Sequence, residues 1–457
     1  MNDHPFPHDE ATIAAIITPP GVGGIAAVRL SGAGAFDVAM KILGERDGRE
    51  RPMLAASHRA RLMDVFHPAD GTALDQALVL PMHAPATFSG EDTVEFFCHG
   101  GSQPAALVLE ACLCAGARAA GPGEFTRRAF LNGRLSLDQA EAVADLIHAA
   151  DRLGARAALA RLRGGLRNDI DTIERPLLQL LSELEGSLEF TEDDNVFVPR
   201  DHIIEVLSAA VVHIDALLDS KESSRRIRDG VQVVIAGPTN AGKSSLFNAL
   251  LGRPRALVDT EAGTTRDIIS ATLVIDGVTF ELHDTAGLRE GGGRVEAAGI
   301  GLTREALAEA DIVLWLTPLD GDGAAEPELP ADVALLPVGT RSDLVTTGVG
   351  DASGLRTSAR TGAGLDDLRT ALAELADTTR LQEVARTGRT LAARHQGRLE
   401  DCRGHLCDLG ADASQQAPDE VLATELGQIL SQLGEVTGRV YSERLLGEVF
   451  AGFCVGK

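Results

Sequence analysis

The eight residues GPTNAGKS, at 237–244, constrain the fold more than any other stretch of this chain. They match the pattern G-x-x-x-x-G-K-[ST] of a loop that binds phosphates through its backbone N–H groups. The apolar run VQVVIAG leads into the loop, and the helix-like run SLFNALLG follows it. An isolated glycine-rich turn could also match the pattern. Such a turn does not require a buried strand before it and a helix after it, whereas this stretch has both. The stretch therefore predicts a nucleotide-binding α/β domain.

The residues around this loop, 231–375, continue to alternate between strand-like and helix-like runs. LVIDGVTFEL is typical of a hairpin that turns at Asp276-Gly277, because Asp-Gly favours a two-residue turn. DIVLWLTP and VALLPVGT are further apolar strands, and GLDDLRTALAELA has the period of a helix. This order predicts a doubly wound sheet, as in a Ras-like P-loop domain.

The flanking segments have two other textures. Short apolar runs separated by turns fill residues 10–120, which is typical of an α+β domain. Leucines spaced by threes and fours after Pro176, and again near the end of the chain, indicate helices, with Pro176 in a first helical turn. We therefore predict a multidomain chain with an α+β domain at 1–124, an all-α helical domain made of 125–220 and 379–457, and an α/β G domain at 221–378 inserted between those two segments.

Composition narrows the class of protein. The 457 residues include 42 basic and 67 acidic ones, a formal charge of −25, which argues against a broad basic face for nucleic acid. No apolar run approaches the roughly 20 residues that cross a bilayer, and the first ten residues do not resemble a secretion signal. We expect a cytoplasmic protein whose six cysteines are reduced thiols.

The phosphate loop and two later motifs supply candidates for the chemistry. Lys243 is expected to reach the β- and γ-phosphates, and Ser244 to hold Mg²⁺. DTAG ends the hairpin, where Asp284 suits the Mg²⁺ shell and the Gly287 N–H suits the γ-phosphate. Upstream, GTTRD carries Thr265, the candidate for completing the Mg²⁺ shell in the GTP state. Each motif alone would be an ordinary loop, but in this order they predict a nucleotide-dependent switch.

The position at which many GTP-binding proteins carry Asn-Lys-x-Asp reads TRSD here: Thr340, Arg341, Ser342 and Asp343. A carboxylate at Asp343 can accept from N1 and the exocyclic amine of guanine together, which adenine cannot offer. Arg341 can lie along the base in place of a lysine stem. TSAR follows another strand, and the Ala359 N–H is expected to meet guanine O6. These residues predict a preference for GTP.

Leu288 occupies the place at which Ras-type switches carry a glutamine that orients the attacking water. A leucine cannot orient water, so hydrolysis needs another group. Glu290 is the nearest carboxylate able to orient or deprotonate the water. From the residues alone, a solvated loop acid is an equally good interpretation of Glu290.

Stretches outside these motifs carry a closer resemblance. They are TPPGVGGIAAVRLSG and FSGEDTVEFFCHGG in the first domain, then GPGEFTRRAFLNGRLSLDQAEAVADLI, and finally GEVTG and FCVGK. Over nearly its full length the chain resembles the tRNA uridine-5-carboxymethylaminomethyl modification GTPases known as the MnmE or TrmE family. A generic GTPase explains none of these stretches.

The resemblance implies an architecture and an activity. It implies a homodimer in which residues 1–124 bind tetrahydrofolate and dimerise, and in which the G domains also come together. It implies a heterotetramer with an FAD-binding partner, MnmG or GidA. The pair would add an aminomethyl or carboxymethylaminomethyl group to carbon 5 of the wobble uridine of certain tRNAs, with the carbon drawn from 5-formyl- or methylene-tetrahydrofolate. Mg²⁺ and K⁺ would be the cofactors and GTP the substrate.

The resemblance also implies roles for residues. K⁺ would be held by Asn240 with Thr260, Ala262 and Thr264, and would neutralise charge between the β- and γ-phosphates as an arginine finger does. Glu290 would be the water-orienting acid. Folate contacts are implied for Arg29, Glu95, Arg134 and Lys457. The set expected to contact GTP is Asn240, Ala241, Gly242, Lys243, Ser244, Ser245, Thr260, Glu261, Ala262, Gly263, Thr264, Thr265, Asp284, Thr285, Ala286, Gly287, Thr340, Arg341, Ser342, Asp343, Ser358, Ala359 and Arg360.

Cys454, close to the terminal Lys457, invites a nucleophile hypothesis. No histidine or acid is placed by the sequence to activate the thiol, so a packing or positioning role is at least as good an interpretation.

Two other functions compete with the one that the resemblance implies. A ribosome-assembly or RNA-binding switch GTPase would use the G-domain motifs but would leave the first 130 residues and FCVGK unexplained. A folate-dependent aminomethyl transferase with a vestigial G domain is disfavoured because Lys243, Ser244, Asp284 and Glu290 are intact. Observed folate binding would exclude the first alternative. Observed GTP turnover would exclude the second.

Overall fold

The computed structural model describes residues 11–44, 56–189, 198–252, 269–284, 307, 309–321, 326–345 and 354–456. The chain forms two compact units. The first consists of residues 1–144, 167–206 and 408–457, and the second of residues 145–166 and 207–407. The division into three domains predicted from the sequence stays a prediction. No described helix is both long enough and apolar enough to cross a membrane.

The elements are numbered along the chain. The described strands are β1 (Ile13–Ile16), β2 (Ile25–Ser31), β3 (Leu43–Gly44), β4 (Arg61–Phe66), β5 (Ala73–Met82), β6 (Thr93–His99), β7 (Arg118–Ala119), β8 (Val231–Ala236), β9 (Ile269–Ile275), β10 (Val278–Asp284), β11 (Ile312–Pro318), β12 (Ala334–Thr340) and β13 (Leu355–Arg356). The described helices are α1 (Ala35–Ile42), α2 (Ser102–Cys114), α3 (Glu124–Leu131), α4 (Leu137–His148), α5 (Arg152–Leu162), α6 (Gly165–Glu189), α7 (Arg200–Leu218), α8 (Lys221–Asp229), α9 (Lys243–Leu251), α10 (Leu365–Leu375), α11 (Thr378–Thr387), α12 (Ala393–Ser414), α13 (Asp419–Thr437) and α14 (Glu443–Ala451).

The first unit contains a seven-stranded sheet in the order β3-β4-β5-β6-β2-β1-β7. Its pairs are antiparallel except for β1 with β7, which is parallel. Along β6 the side chains of Val94, Phe96 and Cys98 are buried, as the two-residue period of a strand requires. They pack with buried residues of α1 and α2 such as Val38 and Val108. The α+β character predicted for this part of the chain is confirmed.

Helix α6 differs from the sequence prediction. Pro176 was expected in a first helical turn, but α6 begins at Gly165 and carries Pro176 in its interior. An interior proline removes one backbone hydrogen bond and costs about 3 kcal/mol. The stripe Leu166, Ile170, Ile173, Leu177, Leu180 and Leu184 is nevertheless buried along the whole helix. Burial of such a continuous apolar face outweighs the proline, because packing supplies most helical stability.

The second unit contains a six-stranded sheet in the order β13-β12-β11-β8-β10-β9. Only the pair of β9 with β10 is antiparallel. These two strands form the predicted hairpin, and Asp276 and Gly277 at its turn have φ of 52° and 81°. Central strand residues such as Val233 and Leu314 are fully buried, as expected of a parallel sheet covered on both faces. The predicted α/β domain with a P-loop between a strand and a helix is confirmed.

Candidate functional site

The phosphate loop joins the carboxyl end of β8 to the start of α9. Gly237 has φ of 148°, and a Cβ there would lie 2.6 Å from the Leu316 carbonyl oxygen on β11. Asn240 and Gly242 adopt left-handed φ values of 62° and 89°. Such backbone turns leave N–H groups available to an anion at the N-terminus of a helix. The loop therefore has the backbone form that phosphate binding needs.

Lys243 is the first residue of α9 and is 8% exposed. Its ammonium group donates to the carbonyl oxygens of Gly237 at 3.0 Å and Pro238 at 2.9 Å. The charge of Lys243 therefore lies against the phosphate loop itself, where its attraction would act on a bound phosphate group.

Ser244 and Asp284 bring two different elements together. The Ser244 hydroxyl, on α9, donates to Oδ2 of Asp284 at 2.7 Å. Asp284 is the last residue of β10 and is 2% exposed. The parallel register of β10 with β8 sets Asp284 beside Ile235, two residues before the phosphate loop. Hydroxyl and carboxylate oxygens are ligands that Mg²⁺ takes, so this pair fits that ion.

The four TRSD residues begin at the carboxyl end of β12. Thr340 is buried, and its hydroxyl donates to the Ala241 carbonyl oxygen at 2.7 Å. Ser342 and Asp343 lie in a short 3₁₀-helix. The Ser358 hydroxyl, from TSAR, donates to Oδ1 of Asp343 at 2.7 Å. Two segments that are separate in the sequence thus hold the predicted base-reading carboxylate.

A cavity of about 430 Å³ lies between Gly242 of the phosphate loop and the segments TRSD and TSAR. It is lined by Gly242, Ser245, Leu246, Thr340, Arg341, Asp343, Leu344, Thr357, Ala359 and Arg360. One end of the cavity is the phosphate loop and the other is the pair of segments TRSD and TSAR. This is the edge at the carboxyl ends of the parallel strands, where open α/β sheets bind ligands.

Asp320 is a contact of this site that the sequence analysis did not include. Its carboxylate accepts from the Arg341 guanidinium at 3.1 Å and 3.3 Å. Asp320 lies just beyond β11, the neighbour of β12 in the sheet. An acid at the carboxyl end of a neighbouring parallel strand was a signal that could have identified it.

Several predicted site residues lie outside the described residues. They are Thr260, Glu261, Ala262, Gly263, Thr264, Thr265, Thr285, Ala286, Gly287, Glu290 and Lys457. Their predicted roles stay predictions.

Three of the four residues predicted to contact folate, Arg29, Glu95 and Arg134, are described and lie in the first unit. Arg29 on β2 and Glu95 on β6 face each other in the register of the sheet. The Arg29 Nε donates to Oε1 of Glu95 at 2.8 Å, and the two side chains are 14% and 12% exposed. The rings of Phe88 and Phe125, which the sequence analysis did not single out, lie 5.3 Å and 5.5 Å from the guanidinium carbon. Arg29 is therefore held by an acid and two aromatic rings.

Arg134 and Cys454 lie at other positions of the same unit. Arg134 is exposed, and its Nε donates to the Thr87 carbonyl oxygen at 3.2 Å. The Cys454 thiol is free and exposed, and its backbone oxygen accepts from the Gly123 N–H at 3.3 Å. None of the six cysteines, all of which lie in the described part of the chain, forms a disulfide. Burial raises the pKa of the Cys98 thiol to about 12, which makes that thiol unreactive.

The C-terminal segment packs onto the first sheet. Val455 forms an antiparallel bridge with Pro122. A Cβ on Gly456 would lie 2.4 Å from the carbonyl oxygen of Ile16, at the end of β1. Strand β1 pairs with β2 at Ala15 and Arg29. The last described residues therefore lie at the end of β1, the strand that pairs with the one carrying Arg29.

Two family models together match most of the chain. Residues 12–134 match the family model described as GTP-binding protein TrmE N-terminus, and residues 137–454 match the MnmE helical domain. The tRNA modification GTPase MnmE of Moorella thermoacetica is 38% identical over 470 residues, with 98% of this chain and 99% of the relative covered. Those of Dichelobacter nodosus and Heliobacterium modesticaldum are each 41% identical, over 457 and 467 residues, with the same coverage. The chain therefore belongs to the MnmE family of tRNA modification GTPases.

Proposed function

We propose that this chain hydrolyses GTP to GDP and phosphate and that it acts in the modification of tRNA. In finer terms, it is a K⁺-dependent GTPase that works with the FAD-binding partner MnmG. Together they add a carboxymethylaminomethyl or aminomethyl group to carbon 5 of the wobble uridine, with a one-carbon unit from tetrahydrofolate. The observation that supports GTP as the substrate is the single cavity shared by the phosphate loop and Asp343.

The described residues have separate proposed roles toward the phosphates, the base and Mg²⁺. Lys243 attracts the β- and γ-phosphates, and the N–H groups of the phosphate loop orient them for attack. Asp343, fixed by Ser358 at 2.7 Å, accepts from the Watson–Crick edge of guanine. Ser244, Asp284 and Thr265 are the proposed residues around Mg²⁺. When bound, Mg²⁺ would neutralise negative charge on the phosphate oxygens.

The hydrolytic step depends on residues beyond the described ranges. We assign the orientation of the attacking water to Glu290, because Leu288 cannot do it. Asn240, Thr260, Ala262 and Thr264 are the proposed K⁺ contacts. In a homodimer, association of the two G domains would complete this cation site and shield the phosphates from bulk solvent, with the attacking water retained.

The folate site is proposed for the first unit. The Arg29–Glu95 pair, at 2.8 Å, presents both a donor and an acceptor, which suits the polar edge of a pterin ring. Arg134 is exposed, and its charge, together with that of Lys457, suits the carboxylates of a glutamate tail. Cys454 lies beside this region, and its proposed role is positioning the C-terminal segment.

The test is GTP hydrolysis by the purified chain in KCl and in NaCl, with ATP as the control nucleotide. We expect strong stimulation by K⁺, no turnover of ATP, and loss of GTP turnover in Glu290→Ala. Glu296→Ala removes an acid from the same stretch and is the matched control, which should keep full activity. Slow turnover that is indifferent to the cation would contradict the K⁺ mechanism and favour a binding switch.

A further inference from the structure

The first two residues of TRSD (Thr340–Asp343) direct their polar atoms at the phosphate loop. The Thr340 hydroxyl donates to the Ala241 carbonyl oxygen at 2.7 Å, and Thr340 is 5% exposed. The Arg341 guanidinium donates to the carbonyl oxygen of Asn240. Two adjacent side chains of TRSD therefore bind two adjacent carbonyl groups of the phosphate loop.

The bond made by Thr340 has a consequence for the base. A threonine hydroxyl carries one hydrogen, whereas the asparagine common at this position carries two and can serve the loop and the base together. N7 of guanine is a hydrogen-bond acceptor, so it needs a donor. Thr340 lines the cavity, but its hydrogen is committed to Ala241. It therefore has no hydrogen to offer to N7.

Arg341 is held in an unusual conformation. Its φ and ψ are 60° and 38°, in the left-handed region that non-glycine residues seldom adopt. Such a conformation persists where surrounding contacts determine it. Here the guanidinium is fixed between the Asn240 carbonyl and the Asp320 carboxylate, the latter at 3.1 Å. Asp320 therefore orients the arginine toward the phosphate loop.

Asp343 remains as the base-reading side chain. Its Oδ1 accepts one hydrogen bond from Ser358 at 2.7 Å, its Oδ2 lies 3.8 Å from the exposed Arg360 guanidinium, and its side chain is 17% exposed. An ionised carboxylate has about four acceptor sites, so capacity remains for both N–H groups on the Watson–Crick edge of guanine.

We propose that this chain recognises guanine at its Watson–Crick edge through Asp343, without a side-chain hydrogen bond to N7. Thr340 and Arg341 instead hold the phosphate loop, and Asp320 is a positioning residue that acts through Arg341. The inference rests on the proposed function, since it requires that the cavity binds a guanine nucleotide.

The N7 part is tested by displacing a fluorescent GDP analogue from the full chain with GDP, 7-deaza-GDP or ADP. In 7-deaza-GDP a C–H group replaces N7. We expect GDP and 7-deaza-GDP to bind the natural chain with affinities within about twofold. Thr340→Asn should introduce a preference for GDP of about fivefold, which is the value of one ordinary hydrogen bond. Thr340→Ser keeps a single hydroxyl donor and should show no preference.

The outcomes separate the inference from the proposed function. A natural chain that binds GDP tightly but 7-deaza-GDP at least fivefold more weakly would overturn the N7 inference alone. GDP binding no tighter than ADP binding would overturn the guanine site, and with it the proposed function.

The role of Asp320 is tested with a double-mutant cycle. Asp320→Asn should weaken GDP and 7-deaza-GDP equally, by about threefold, because a partly exposed ion pair is worth little. When Arg341→Met is already present, adding Asp320→Asn should not weaken GDP binding further, since the two residues act as one unit. Asp322→Asn, at the next acid in the chain, is the matched control and should bind GDP normally. Additive losses in the double variant, or unchanged affinity in Asp320→Asn, would overturn the role of Asp320.

Discussion

Ser244 and Asp284 are 40 positions apart in the chain, and the hydroxyl of the first donates to Oδ2 of the second at 2.7 Å. The bond joins the first turn of α9 to the last residue of β10. It depends on the parallel pairing of β10 with β8, because that pairing brings Asp284 to the same sheet edge as the phosphate loop. The proposed Mg²⁺ residues are thus assembled by the sheet.

Loss of the Ser244 hydroxyl should weaken the response to Mg²⁺. In Ser244→Ala we expect the Mg²⁺ concentration for half-maximal GTP hydrolysis to rise by about 10- to 100-fold, as in other metal sites that lose a supporting oxygen. The measurement is a Mg²⁺ titration of turnover at saturating GTP. Ser270→Ala, at an exposed position on β9, is the control and should titrate like the natural chain. An unchanged midpoint in Ser244→Ala would contradict the assignment.

The close approach of the phosphate loop to β11 should make Gly237 intolerant of a side chain. A Cβ at Gly237 would lie 2.6 Å from the Leu316 oxygen, so Gly237→Ala should lower the free energy of unfolding by about 2–3 kcal/mol. Urea unfolding measures the change. Gly404→Ala is the control, because a Cβ there meets nothing within 4 Å in helix α12. It should be stabilising by about 0.5–1 kcal/mol. Equal stability of both variants would rule out the steric account.

Exchange of the Asp343 carboxylate for an amide should change the base that is selected. Xanthine carries a C2 oxygen where guanine carries an amine, and the amide of Asp343→Asn can donate to that oxygen. We expect kcat/KM for GTP to fall by about 100-fold or more, and that for XTP to rise above it. Asp366→Asn, whose side chain is 95% exposed in the natural chain, is the control and should keep its preference for GTP. A variant that still prefers GTP would show that another group reads the base.

Glu124 should link the stability of the first unit to pH. The side chain is 3% exposed, and its carboxylate accepts from Arg118 at 2.7 Å, Gly121 at 2.9 Å and Arg128 at 3.0 Å. Burial by itself raises the pKa of this carboxyl, but the hydrogen bonds from Arg118 and Gly121 and the two arginine charges outweigh burial and lower the pKa from 4.5. Because the pKa is lowered on folding, the stabilisation is complete above pH 4.5 and is lost as pH falls further.

Glu124→Gln should therefore unfold more easily at pH 7, by about 2–3 kcal/mol, because the half-buried Arg118 loses its ion pair with Glu124 and the buried Arg128 keeps only the pair with Glu91. The difference from the natural chain should shrink as pH falls below 4.5. Urea unfolding at several pH values measures both effects. Glu110→Gln, at an exposed position on α2, should match the natural chain throughout. A difference that grows toward acid pH would contradict the sign of the linkage.

Local sequence signals predicted the elements of the nucleotide domain well. The hairpin at Asp276-Gly277 follows from a dipeptide that favours positive φ, and strands such as β11, with the sequence IVLWLTP, are mostly apolar. The interior position of Pro176 was not predictable in this way. The cost of a proline is local, whereas the packing of Leu166 and Leu184 that compensates for it extends over the whole of α6.

Contacts between distant side chains depend on strand order, which local patterns do not specify. Asp320 and Arg341 are 21 positions apart and meet because β11 and β12 are parallel neighbours. Arg29 and Glu95 are 66 positions apart and meet through the register of β2 with β6. In both cases the residue types were visible in the sequence, but their partnership required the sheet.

The most direct measurement is mass analysis of the wobble nucleoside of a substrate tRNA after incubation with this chain, its FAD-binding partner, tetrahydrofolate and GTP. In KCl we expect a uridine substituted at carbon 5. We expect none when NaCl replaces KCl, when folate is omitted, or when Lys243→Ala replaces the natural chain. Vigorous GTP hydrolysis with uridine left unmodified in the complete KCl mixture would contradict the proposed role in tRNA modification.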